Sequence, residues 1–142
     1  MGTNSEVDVS VSRGQRRAYR ALAVAVSVCA ALLVWVIAWA GGGGLEVTSP
    51  AAGTLRIGAA LVVASALPLA LAAWGALALA ERFTPRPRRV WTAVAVAVLL
   101  LSLPPLLFLE ATDATKLTLA LMHVVTGVVL IAMLRRSARP TR

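Results

Sequence analysis

The sequence predicts an all-α fold, a transmembrane antiparallel four-helix bundle with the N-terminus and C-terminus both cytoplasmic. Three observations predict it. Four apolar runs, 21–40, 57–80, 90–109 and 117–134, hold no Asp, Glu, Lys or Arg, and each is close to the ~20 residues that cross ~30 Å of hydrocarbon. Arginines cluster at every second boundary of these runs. The connections are short, so sequential helices are expected to pack as neighbours.

Taken in order, residues 1–16 read as a disordered cytoplasmic tail, polar and rich in small residues. The membrane domain occupies 17–136, with helices over about 20–40, 56–80, 90–109 and 116–135. At the first helix, Arg16-Arg17-Ala18-Tyr19 has the look of a twin-arginine export signal and Ala38-Trp39-Ala40 that of a small-x-small cleavage site. The apolar run between them exceeds the ~7 to 15 residues of a signal sequence, so an uncleaved helix is expected. Cys29 follows Val28, where a lipoprotein cleavage box needs a small residue, and reads as a thiol packed inside the helix. Gly41 to Gly44 then form a flexible exit. The segment after it reads as a loose connector, favoured by the four glycines, or as a short extended piece over the mouth of the bundle.

In the second helix Pro68 takes the amide donor from the carbonyl of Ala64 and marks a kink. Ala60, Ala64 and Ala72, Ala76 offer small-xxx-small surfaces for close helix approach. Pro85 and Pro87 stiffen the following turn. In the third helix Pro104 and Pro105 likewise free the carbonyls of Leu100 and Leu101, in a medium without water to satisfy them. On the fourth, Ala120, His123, Thr126 and Gly127 share one face. Residues 137–142 form a basic cytoplasmic tail.

Orientation follows from charge. Arg13, Arg16, Arg17 and Arg20 precede the first span; Arg82, Arg86, Arg88 and Arg89 separate the second from the third; Arg135, Arg136, Arg139 and Arg142 follow the fourth. The remaining two connections carry only Arg56 and Lys116 as cations, beside Glu46, Glu110 and Asp113. Cytoplasmic loops are enriched in Lys and Arg, so the termini and the middle loop are placed inside. Tyr19, Phe83 and Trp91 fall at the inner interface, Trp39 and Phe108 at the outer, with Trp35 and Trp74 one or two turns deeper. The net charge of +8 therefore signals topology and attraction to a bilayer with anionic headgroups. Nucleic acid is not expected as a partner, because the arginines sit in three membrane-flanking groups with no domain to present them to a groove.

Chemistry is sparse. One cysteine excludes an intrachain disulfide and a C-x-x-C redox pair, and one histidine cannot supply two haem ligands within the chain. Glu110 and Asp113 make no recognised calcium ligand set. No catalytic residue, cofactor or metal site is expected. The candidate polar cluster is His123, Ser102, Ser65 and Thr126: measured inward from the outer helix ends at ~1.5 Å per residue, Ser65, Ser102 and His123 share a depth. They could line a shallow cavity for a proton, ion or small solute, since intramembrane ionisable groups are functional candidates. Alternatively His123 donates to a carbonyl freed by the proline pair and clasps the fourth helix to the third, the favoured reading because an unsatisfied carbonyl in hydrocarbon is costly.

The run Ser102-Leu103-Pro104-Pro105, then Asp113 to Leu117, then Leu121-Met122-His123 and the Val-rich end with Ile131, resembles an uncharacterised family of small four-helix membrane proteins from actinobacteria. The Gly-rich exit and Leu45-Glu46-Val47 extend the likeness. It implies the four-helix topology and no activity. The expected role is a non-enzymatic structural or accessory membrane component, acting as a homo-oligomer or with another membrane protein; the alternative is a small oligomeric transporter or channel with a polar site around His123. An intramembrane enzyme would need an aspartate level with His123 to orient it, and none is there. Topology reporters fused at Gly42 and Asp113 should read outside and one at Arg86 inside; a cytoplasmic signal from Asp113 would overturn the orientation.

Overall fold

The computed structural model describes residues 3–42, 45–49 and 53–138. In chain order its elements are α1 (Thr3–Ala40), β1 (Glu46–Ser49), β2 (Gly53–Arg56), α2 (Ala59–Phe83), α3 (Pro87–Ser102), α4 (Pro104–Leu107) and α5 (Asp113–Ser137). Four helical stretches are long and apolar enough to cross a membrane: Arg13–Ala40 of α1, Ala59–Phe83 of α2, Pro87–Leu106, which joins α3 to the turn α4, and Asp113–Ser137 of α5. These are the dimensions and composition of a membrane protein.

Local chemistry sets the helix ends. The segment read as a tail continues α1 from Thr3 onward; it contains no proline, and extending an existing helix adds one hydrogen bond for each residue fixed. α2 starts at Ala59, runs uninterrupted through Pro68, and ends with Arg82 in its last turn, where a cation suits the helix dipole. Pro87 opens α3 at a position where its missing N–H has no helical partner to lose. The same helix stops at Ser102, short of 109, because Leu103 precedes a proline pair; the chain restarts as the single turn α4. α5 is capped by Thr112, whose Oγ1 accepts the Thr115 N–H at 3.2 Å, with Asp113 in the first turn. The residues 139–142 of the expected basic tail lie outside the described part.

The connection from α1 to α2 is ordered into a hairpin. β1 and β2 pair antiparallel, with Glu46 opposite Arg56 and Ser49 opposite Gly53, and Gly53 takes a φ of +70° that suits glycine. Thr48 also bridges to Glu110, its N–H donating to the Glu110 carbonyl at 2.9 Å. An extended piece thus crosses to the link between α4 and α5, and the loose-connector reading gives way. Val47, Thr48 and Thr54 are β-branched, which suits this pairing; the glycine run before them masks the signal.

α1 packs between α2 and α5, and α3 lies against the same two helices from the other side. One buried cluster joins Ala23 and Val24 of α1, Ala70 and Leu77 of α2, Trp91 of α3, and Leu130 and Leu134 of α5. A second, nearer the hairpin, joins Ala31, Val62 and Met122. Close approach of α1 uses Ala23, Ser27 and Ala31, each four residues from the next and 0 to 2 % exposed. That stripe replaces the expected alanine pairs of α2, since Ala60, Ala64, Ala72 and Ala76 all face outward. Cys29 is exposed, against the expectation of a packed thiol: two residues past Ser27 is about 200° around the helix, the opposite face.

Two indoles tie neighbouring elements together. Trp35 donates its Nε1–H to the Ile57 carbonyl at 2.7 Å, fixing α1 to the entrance of α2, and stacks on Trp39 with ring centroids 6.4 Å apart. Trp91, expected at the interface, is 2 % exposed and donates to the Ala73 carbonyl at 3.1 Å; its ring reaches back across α2 because the short turn before α3 brings that helix close. Leu33, Ile37, Leu69, Leu79, Leu100 and Leu101 lie on the outer surface, as residues facing lipid tails would.

At the α3–α5 contact, a Cβ on Gly127 would stand 2.8 and 2.9 Å from the two terminal methyls of Leu99. Those methyls can rotate away. Gly127→Ala should therefore cost at most about 1 kcal/mol, while Gly127→Leu should force the helices apart and cost about 1–3 kcal/mol. Unfolding in detergent followed by circular dichroism checks the difference.

Candidate functional site

The polar residues of the spans mostly turn back on their own helices. Ser65 is exposed and donates to the Val62 carbonyl at 3.1 Å; Ser102 donates to Leu99 at 2.7 Å; Ser27 donates to Val24 at 2.8 Å. His123 is half-buried, with Nδ1 3.1 Å from the Leu119 carbonyl one turn earlier, the contact of a ring N–H donating back along α5. The predicted clasp from His123 to Leu100 or Leu101 is not among its contacts. Leu100 is instead reached by the Leu103 N–H at 3.4 Å, because the break before Pro104 folds that amide back. Serine and histidine on a helix can each reach a carbonyl three or four residues earlier, and that local partner wins over a distant one.

Thr126 differs from these. Its Oγ1 is buried and has no hydrogen-bond partner among the described residues. It lies three residues after His123 on the face that carries Gly127 toward α3. Of the four residues in the expected cluster, Thr126 and His123 share one helix face, while Ser65 is exposed on α2. Pro68, Pro104 and Pro105 are exposed and shape the backbone without lining an interior site.

The strongest polar assembly lies at the opposite end of α5. Arg20, 6 % exposed, donates through Nη2 to Glu81 Oε1 at 2.6 Å and to the Ser137 carbonyl at 3.2 Å, and through Nε to Ser137 Oγ at 3.1 Å. One guanidinium thus joins α1, α2 and α5. Ser137 is itself buried and donates to Leu134 at 2.8 Å. Alongside, Arg88 of α3 donates to the carbonyls of Arg135 and Ala138 at 3.1 and 3.4 Å. Both arginines satisfy carbonyls that the end of α5 leaves without helical partners, and their charge favours that end of the helix dipole.

Sequence reading assigned Arg20 to topology alone. The signal that could have found the junction was depth: Arg20, Glu81 and Ser137 all stand at the boundary of an apolar run, the same matching that grouped Ser102 with His123. Chemically the junction is a fastening. The arginine fork is engaged on carboxylate, hydroxyl and carbonyl oxygens. Among the described residues, no three His, Cys, Asp or Glu side chains converge to hold a metal ion.

Residues 11–140 match a family described as a family of unknown function, DUF6069. No curated protein and no solved structure matches the chain.

Removing one partner of a buried ion pair leaves the other charged without compensation, at about 3–5 kcal/mol. Glu81→Leu and Arg20→Met should each lose stability on that scale. The Arg20→Met, Glu81→Leu double variant should lose much less than the sum of the two, because neither charge is then stranded. Thermal unfolding of all four proteins in one detergent provides the cycle.

Proposed function

The chain belongs to the DUF6069 family, and we propose that it is a non-enzymatic accessory component of a bacterial plasma membrane, built as an antiparallel four-helix bundle with both termini in the cytoplasm. The observation that carries this reading is the behaviour of the intramembrane polar groups. Ser27, Ser65, Ser102 and His123 each contact a carbonyl of their own helix. Each of these side chains thus already has a partner within its own helix. A transport pathway or an intramembrane catalyst needs convergent polar groups available to a solute.

Contacts between the arginine groups support the orientation. Arg20 meets Glu81 and Ser137, and Arg88 meets Arg135, so the three arginine-rich boundaries gather at one end. Positive charge is retained on the cytoplasmic side. With helices this exposed along their flanks, only 6 % of the apolar stretch of α3 being buried within the chain, α3 is the flank most available to lipid or to a second membrane protein, and a homo-oligomer uses the same surface.

One observation favours the alternative, a small oligomeric transporter or channel centred on His123. The orphaned Thr126 hydroxyl, one turn away, is a buried polar group that a water or ion would satisfy. Flux separates the readings. In proteoliposomes under an imposed pH or sodium gradient, the wild-type protein should leak no faster than protein-free vesicles, and His123→Ala should change nothing. A wild-type flux abolished by His123→Ala would establish the alternative.

A further inference from the structure

A cavity of about 200 Å³ opens beside the start of the apolar stretch of α1, lined by Arg13, Arg16, Arg17 and Arg20. Their spacing, i, i+3, i+4 and i+7, places all four on one helix face. The rise between the first and last is about 10 Å. Arg20 is already engaged by Glu81 and Ser137. Arg16 is not: its Nε is buried and has no hydrogen-bond partner among the described residues. Arg13 and Arg17 are exposed at the rim.

Neighbouring like charges on a helix repel, and a buried N–H without an acceptor adds the cost of its lost hydration. An anion rich in oxygen acceptors removes both penalties. Guanidinium forks match the tetrahedral oxygens of phosphate better than any single point charge does. The apolar run of α1 begins at Ala21, directly after Arg20, so the cavity sits at headgroup depth, where phosphate groups are the commonest anions.

We propose that Arg13, Arg16 and Arg17, set beside Arg20, form a binding site for a phosphate group, supplied by an anionic phospholipid headgroup or by soluble phosphate. The site is more than general attraction of a basic patch to a membrane, because it has a half-open cavity lined by the four arginines and, in Arg16, a buried Nε–H with no acceptor among the described residues. It goes beyond the accessory reading and requires only that the start of the apolar run of α1 lie at a membrane interface.

Native mass spectrometry of the full chain, titrated in detergent with phosphatidylglycerol or phosphatidylcholine of matched acyl chains, tests it. Wild-type protein should retain phosphatidylglycerol about tenfold more strongly, the scale of one or two charge-assisted contacts, and R13Q/R17Q should abolish that preference. These two side chains are exposed, so the variant should keep its helicity and unfolding temperature; both are measured alongside. Arg16→Lys keeps the charge and removes the Nε–H, and should also weaken retention. Inorganic phosphate is the second arm: displacement of the retained lipid, with thermal stabilisation of wild type but not of R13Q/R17Q, would make soluble phosphate a source for the same site. Equal retention of the two lipids, without phosphate stabilisation, would overturn the proposal. So would unchanged phosphatidylglycerol retention by R13Q/R17Q, and full retention by Arg16→Lys would overturn the assignment of the Nε–H to the ligand.

Discussion

The ion pair between Arg20 and Glu81, with Ser137 completing the arginine's contacts, sets the register of three helices at once. Apolar side chains attract one another without strong preference for depth or rotation, and lipid tails are as apolar as the residues they surround. A guanidinium at the edge of the hydrocarbon has a narrow choice of partners. Once Arg20 meets the end of α5 and the last turns of α2, the positions of Ala23, Leu77 and Leu134 in the adjoining cluster follow. Arg88 adds α3 by a parallel device, binding the same end of α5. The two arginines act where the backbone of α5 runs out of helical acceptors for its own carbonyls, so one interaction both caps a helix and joins it to its neighbours.

Toward the other end the joints are made by different chemistry. Trp35 holds the Ile57 carbonyl, the hairpin reaches the link before α5 through Thr48 and Glu110, and small residues let α1 approach closely. The exposed Arg56–Glu46 contact at 2.7 Å lies in the hairpin, and exposed pairs contribute little to stability. The helices are thus fastened by buried charge at one end and by main-chain hydrogen bonds at the other, with apolar packing between.

This distribution bears on function. Polar groups within the spans are largely turned toward their own helices, while the densest unspent hydrogen-bonding capacity is in the arginines at the edge. That arrangement is the basis of the proposed accessory role at the membrane boundary. Thr126 is an exception, with a buried hydroxyl that has no hydrogen-bond partner among the described residues.

Four stretches long and apolar enough to cross a membrane and the placing of arginines at alternate boundaries were legible in the sequence because hydrophobic length and loop charge are local quantities. Pro104 and Pro105 were legible as a distortion of the third helix for the same reason, though the expected helix ran on to 109 and the actual one breaks at Ser102. What only the tertiary structure decided was partnership. Ser102 and His123 share a depth along their helices, but depth does not specify rotation, and carbonyls one turn away compete successfully for both. The buried stripe Ala23–Ser27–Ala31 was indistinguishable from the many alanine pairs around it, because small residues mark a contact only when another helix is known to face them. Arg20 carried the same sequence signature as the arginines before it; its proximity to Glu81 and Ser137, 61 and 117 residues away in the chain, exists only once the helices are packed.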